Sequence, residues 1–562
     1  MPTPVRGFAD LHSHPMAHLG MGGKAIAGLP YSKKGYADAL ANCQGSGRPH
    51  DVFNHPFLAA LLRGLLEQHG PCGFPTFADW PTHRTVFHQQ MYVDWVKRAY
   101  SHGLRLMCAL VVNNELMARH FGAVRYSDPN MLDSQLNGLK DFVAYVDQVS
   151  ADAGVPSWVG VAKSPAEARA LIAQDKLAIV VGVEMDTIES LARRTPQDEP
   201  TDHPGDQPSK PTQSLNTTPL TDAEVDVVLD QLVQKGVSMV TPVHLADNSL
   251  GGTALYDANF DLLNRWLRGS YFQVKADGGV AFQLRDSAAL VFARTVLGFE
   301  SPRYGAISWT LGHANQRGLT ARGQRFLVGA MKRGLLIDVD HMSHATTDAA
   351  IALAKQHQYP VLSSHSVFRD LGYWRDEVKD PYGWVHEGMK TRQQVDDILA
   401  LGGLVAPITN QHRCKQHGAL VPNTQHGTSR TWAQAFLYAV DRVAAAGKGG
   451  VALGTDFNGF AQQPGARFVR GGPVDGTAVR YDDPLSVTFF RKEKLSRNRL
   501  PGRANPFDVN YDGLAHYGLL PDFLEDLRKV GVPDSALDEL FHSAERFLQC
   551  WETCRARAPF IP

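Results

Sequence analysis

The chain has almost no net charge, few cysteines and no long apolar run, and each shortage removes a class of function. With 56 Lys+Arg against 57 Asp+Glu over 562 residues, the formal net charge is -1. Nothing here attracts nucleic acid or an anionic membrane surface, whereas a small neutral or zwitterionic substrate is compatible. No stretch approaches the roughly 18 uninterrupted apolar residues of a membrane span. Residues 1–7 hold no apolar signal-peptide core, so a soluble cytoplasmic protein without a signal peptide is expected. The six cysteines, Cys43, Cys72, Cys108, Cys414, Cys550 and Cys554, are scattered through a chain long enough to build its own core. They are expected as reduced thiols, with Cys550 and Cys554 packing on one helical face. Two motifs fall short as well. Gly20-Met21-Gly22-Gly23 lacks the Gly-Lys-Ser/Thr ending of a phosphate loop, and Ser364 and Ser366 beside His365 lack the Gly-x-Ser-x-Gly of a nucleophile elbow.

What is present is an alternation of apolar strands and helical segments. The strands are expected at Phe8–Leu11, Leu104–Val112, Leu177–Val183, Ser238–Val243, Gly334–Asp340, Tyr359–Ser364, Gly403–Ile408 and Gly450–Thr455. A helix is expected near 86–102. Ser164-Pro165-Ala166-Glu167 and Thr221-Asp222-Ala223-Glu224 read as capping boxes that start helices. Eight continuous apolar strands separated by helices imply a parallel sheet, and the expected fold is α/β, a (β/α)8 TIM barrel. One barrel domain over 1–562 is expected, with a lid-like insertion at 16–85, a flexible loop at 195–219, an insertion at 460–512 and closing C-terminal helices at 513–555.

Chemistry concentrates at the strand ends. His12 and His14 are separated by one residue, so on a strand they share a face and can address one metal ion. Glu184, His244, His341, His365 and Asp456 each end a later strand, at the barrel face that carries active sites. A single strand-end histidine is more often structural, and a lone Glu184 or Asp456 more often caps a helix or pairs a cation. Five candidate ligands and an acid in barrel order are not explained that way. Two divalent ions about 3.5–4 Å apart can share a water and lower its pKa to about 7. Glu184 is the one acid ending a strand between the His-x-His and the later histidines, so it is placed to bridge two such ions. Asp338 and Asp340 alternate with His341, which places Asp340 on the opposite face with an orienting role open to one of them. His412, Cys414 and His417 are read as an exposed loop.

The ordered set His12, His14, Glu184, His341, His365 and Asp456 resembles the amidohydrolase superfamily. Val181-Gly-Val-Glu184, Thr241-Pro-Val-His244, Gly318-Leu-Thr320, Ile337-Asp-Val-Asp-His341-Met-Ser343, Pro360-Val-Leu-Ser-Ser-His365-Ser366 and Leu453-Gly-Thr-Asp456-Phe-Asn-Gly459 are similar to the membrane (renal) dipeptidase family, peptidase family M19. So is the stretch from Gly513 to Leu527. The resemblance implies a binuclear metal-dependent hydrolase cleaving the amide bond of a dipeptide or related acylated amino acid with hydroxide generated at two zinc ions. It further implies that His12 and His14 hold one ion, Glu184 bridges, and His341 and His365 hold the other. Asp456 would shuttle the proton, His244 would bind substrate and polarise the oxyanion, and Arg392 or Arg375 would take the substrate carboxylate. A homodimer is a family-level expectation. His14 stands where the family usually has aspartate, which leaves the site one charge more positive. That departure and the long insertions keep a non-peptide amidohydrolase or lactonase open as an alternative, with a catalytically inactive binding barrel as a reading of another class.

Overall fold

The computed structural model describes residues 4–40, 81–195 apart from 121, 122 and 124, 218–284 apart from 259 and 281, 291, 295, 302–373 apart from 309, 385–481, and 495–562 apart from 501, 502 and 504. Part of the 16–85 insertion, most of the 195–219 loop, part of 460–512 and Arg375 lie outside the described residues.

The strands run β1 (Phe8–Ser13), β2 (Leu104–Asn113), β3 (Val159–Ala162), β4 (Leu177–Met185), β5 (Met239–Thr241), β6 (Val274–Asp277), β7 (Gly312–Asn315), β8 (Leu336–Ile337), β9 (Ser363–Ser366), β10 (Leu404–Pro407) and β11 (Gly450–Val451). A parallel sheet has the order β1-β2-β4-β5-β8, with β3 added beside β4, and a second parallel sheet has the order β11-β10-β9. β2 and β4 are buried along their whole lengths, which explains why they read as unbroken apolar runs rather than alternating ones. Parallel bridges join the margins of the two sheets: Asp338 pairs with Leu362 beyond β8, and Asp10 and Ser13 of β1 pair with Leu453 and Phe457 beyond β11. The fold is therefore α/β with a curled parallel sheet.

Helices α1 (Val93–Ser101), α2 (Pro165–Ala173), α3 (Asp222–Gln234), α4 (His344–His357), α5 (Arg392–Ala400), α6 (Leu520–Lys529) and α7 (Ser543–Arg557) accompany the strands. The Thr221 hydroxyl accepts the Glu224 N–H at 3.2 Å while the Glu224 carboxylate accepts the Thr221 N–H at 2.7 Å, a complete capping box. At α2 only half the box forms. Ser164 accepts from Glu167 N, but the Glu167 carboxylate takes the N–H of Lys163 instead. α7 seals the other end of the sheet: Ser543 Oγ accepts the Ala9 N–H at 2.8 Å, and Phe541 meets Phe8 edge-on at 5.6 Å between ring centroids. The C-terminal strand ends are left for chemistry.

Two elements had no counterpart in the sequence reading. β3 is a four-residue strand that pairs, among the described residues, with β4 alone, and β6–β7 is an antiparallel hairpin inside the insertion between β5 and β8. The 412–417 segment also differs from the exposed loop expected there, because Cys414 is buried with its thiol toward the Thr431 carbonyl. Cys108, Cys414, Cys550 and Cys554 are free and buried, as expected. Cys43 and Cys72 lie outside the described residues.

Candidate metal centre

His12 and His14 do share one face of β1, with their Nε2 atoms 3.2 Å apart. Glu184, near the end of β4, reaches between them and the later histidines. Its Oε2 lies 3.2 Å from His12 Nε2, 3.5 Å from His14 Nε2 and 3.7 Å from His244 Nε2, while Oε1 lies 3.2 Å from His341 Nε2. His341 and His365 face each other with Nε2 atoms 2.8 Å apart. Asp456 Oδ1 sits 3.1 Å from His14 Nε2 and 3.8 Å from His12 Nε2. The sheet thus gathers into one cluster seven residues from His12 to Asp456, and beneath the site the Thr455 N–H donates to Asp10 Oδ1 at 3.0 Å.

The outer ring nitrogens decide what the inner ones can do. His14 Nδ1 is 3.0 Å from the Leu110 carbonyl, which can only accept, so Nδ1 carries the proton and Nε2 presents a lone pair inward. Ser364 makes a similar choice for two rings at once. Its hydroxyl donates to Asp338 Oδ2 at 2.5 Å, leaving its oxygen to accept from His12 Nδ1 at 2.8 Å and His365 Nδ1 at 3.0 Å. Tyr256 Oη lies 2.9 Å from His341 Nδ1, and Asp186 Oδ1 lies 3.2 Å from His244 Nδ1 while its other oxygen accepts from Asn114 at 2.6 Å. Inward lone pairs at the His12–His14 contact repel one another unless a cation lies between them, whereas the Tyr256 hydroxyl can donate or accept and so does not set the His341 tautomer. Glu184 Oε1 is buried and makes no hydrogen bond among the described residues, a cost that a cation would remove. Imidazoles and carboxylates are the donors that divalent transition ions take. The residues present fit a metal. Within 4.8 Å they fall into the groups His12–His14–Asp456, His12–Glu184–His365, Glu184–His244–His341 and Asp338–Asp340–His365.

The protein's own charges are balanced around this carboxylate. Burial opposes charge at Glu184, but the imidazoles of His12, His244 and His341 hold its carboxyl well below the usual range. Burial likewise opposes charging His244, yet Glu184 and Asp186 outweigh it and lift the ring to about 9. Burial, aided by His12 and His341, keeps His365 neutral far into acid.

Backbone strain coincides with the chemistry. His341 and Asp456 adopt φ of +63° and +49°, in the left-handed region that non-glycine residues rarely enter. Asp456 is held there by its N–H on the His12 carbonyl at 2.8 Å. Gly459 completes the turn, since a Cβ at that position would lie 1.8 Å from Asp456 Oδ1 and 2.8 Å from the His14 ring. Asp340 does not lie away from the site as strand alternation suggested. β8 ends at Ile337, so the period of two stops before His341, and Asp340 accepts the His365 N–H at 2.7 Å.

Arg392 is not brought into the group. It is the first residue of α5, its guanidinium is largely exposed, and it pairs with Asp370 at 2.6 Å. Sequence reading passed over Asp186, Tyr256 and Lys390, and weighed Ser364 only as a nucleophile. Alternation places Asp186 on the face of Glu184, which is a usable signal, whereas Tyr256 and Lys390 come from insertions with no local pattern.

Fold and site together define a metal-dependent hydrolase. Residues 305–466 match the family model of membrane dipeptidase (peptidase family M19), a segment that contains His341, His365 and Asp456. Over that segment the chain is similar to peptidase family M19. No curated protein matches it. Similar solved structures include an amidohydrolase from Pseudomonas aeruginosa, 14% identical, covering 82% of this chain and 92% of that one with a TM-score of 0.40. A metallopeptidase from Rhodobacter sphaeroides, liganded with a phosphinate mimic of the dipeptide L-Ala-D-Ala, is 12% identical and covers 98% of this chain and 100% of that one at a TM-score of 0.45. The probable dipeptidase PvdM from Pseudomonas aeruginosa is 14% identical, covering 83% and 89% at 0.41.

Proposed function

We propose that this chain cleaves the amide bond of a dipeptide or related acylated amino acid, on a complete (β/α)8 barrel that holds two zinc ions. His12 and His14 would hold one ion, His341 and His365 the other, and Glu184 would serve both. The observation that carries this reading is the pair of opposed Nε2 contacts, 3.2 Å and 2.8 Å, flanking one buried carboxylate. The bridges from β8 to β9 and from β11 to β1 support the closed barrel.

When bound, such ions supply a water acidified to near neutral pH and a polarising charge for the scissile carbonyl. The chain's own residues do the rest. Asp456, with part of its side chain open to solvent beside His14, takes the proton of the attacking water and passes it to the leaving amine. His244, with Asp186 Oδ1 3.2 Å from its Nδ1, is oriented to present Nε2 to the oxygen that becomes negative. Burial of His12, His14 and Glu184 keeps bulk water from screening these charges.

No helix among the described residues is long and apolar enough to cross a membrane. A single domain is the simplest organisation for two bridged parallel sheets that share one site. His14 in place of an aspartate favours, as a second reading, a non-peptide amide or lactone substrate. The test is hydrolysis by the metal-loaded protein against dipeptides, N-acyl amino acids and lactones. Turnover of the first two classes supports the proposal, and turnover of lactones alone overturns it.

A further inference from the structure

Among the described residues Lys390 is the one buried lysine, with a side chain 1% exposed. Burying an ammonium costs several kcal/mol unless it is paired and hydrogen-bonded. Its Nζ lies 2.9 Å from Asp340 Oδ1 and donates to the Gly388 carbonyl at 3.2 Å. Asp340 Oδ1 also accepts from Ser363 Oγ at 2.6 Å, which leaves Oδ2 to accept the His365 N–H at 2.7 Å and to stand 3.6 Å from His365 Nδ1. A chain of contacts therefore runs from a buried cation through one carboxylate to both the backbone and the ring of His365.

The same short segment supports the neighbouring histidine. The buried Glu387 carboxylate accepts the N–H groups of Leu255 at 2.9 Å, Asn315 at 3.0 Å and His344 at 2.9 Å, fastening three segments together. Next to Leu255, Tyr256 places its hydroxyl on His341 Nδ1 and its ring against His386, 4.7 Å between centroids. His12 and His14 lean on Ser364, which also meets His365 Nδ1 at 3.0 Å, and on the Leu110 carbonyl.

We propose that Lys390 is a positioning residue for one half of the site: through Asp340 it fixes His365 in its inward-facing geometry. The inference rests on the reading of His365 as a metal ligand. Without the ammonium, Asp340 is held on that side by Ser363 and Ser366 alone and is free to rotate, and His365 loses the contact that holds its backbone. Lys390 touches neither ion nor substrate in this account.

The test is titration of the metal-free full chain with Co²⁺, followed by calorimetry and visible absorption. Lys390→Met should weaken one site by about 10–100-fold, the range for loss of an outer partner, and leave the other within about twofold. Lys390→Arg should recover part of the loss. If Lys390 acts through Asp340, the double variant K390M/D340N should bind no more weakly than D340N. Unchanged affinities in K390M, or losses that add in the double variant, overturn the proposal. Where a single variant fails to fold, the double variant leaves no lone buried charge and is compared directly with wild type. Equal Co²⁺ affinities then overturn the proposal, and a weakening of about tenfold or more at one site supports it. Should wild type bind a single ion, the two-ion reading fails on its own, and Lys390 is judged by whether its removal weakens that ion.

Discussion

Ser364 Oγ lies 2.8 Å from His12 Nδ1, so a residue of β9 sets the tautomer of a histidine on β1. The same oxygen is 3.0 Å from His365 Nδ1 and its proton goes to Asp338. One hydroxyl thus turns the Nε2 lone pairs of both rings toward the centre of the site.

Ser364→Ala should therefore weaken metal binding by about 10–100-fold, as loss of an outer partner does, and lower stability by about 1 kcal/mol through loss of the hydroxyl's bond to Asp338. Metal titration and denaturant unfolding of the variant check the two effects separately. Unaltered metal affinity would show that the tautomers are set elsewhere.

Asp456 is predicted to move protons rather than to hold metal. Asp456→Asn should lower kcat by about 10²–10⁴-fold while metal content stays at the wild-type level. Gly459→Ala, whose Cβ would meet Asp456 Oδ1 at 1.8 Å, should displace that carboxylate and cost about 10²-fold in kcat with the fold retained by circular dichroism. Activity surviving Asp456→Asn would remove the residue from the mechanism.

Away from the site, His516 makes stability depend on acid. Its Nδ1 accepts the Gly518 N–H at 3.1 Å and its ring stacks on Trp95, 4.2 Å between centroids. Burial, with Arg98 and Arg503 nearby, holds its pKa well below the ordinary 6.5. The folded state therefore binds fewer protons than the unfolded chain below that value. The contribution is complete above about pH 6.5 and is lost as the pH falls, by up to about 1.4 kcal/mol per unit from this residue. His516→Phe keeps the stacking and should flatten the acid limb of unfolding free energy against pH by that slope.

The strand ends were legible because each buried parallel strand is an apolar run closed by one polar residue, and His12 and His14 were legible because a strand repeats every two residues. Period two misplaced Asp340 because β8 stops at Ile337 and His341 turns to positive φ. Arg392 was drawn in by local likeness, but Thr391 caps the helix and directs residue 392 to Asp370 on the surface. Lys390, Glu387 and Tyr256 act across separations of 50 to 132 positions or reach the site from insertions, and no local spacing encodes such partners.

The central claim is a centre in which five ligand side chains hold two ions. Its most direct test is the metal content of the metal-replete protein, measured by elemental analysis alongside dipeptide hydrolysis before and after chelation. About two ions per chain, with activity lost on chelation and restored by zinc, is the predicted result. Fewer than one ion per chain, or hydrolysis that survives complete metal removal, would contradict it.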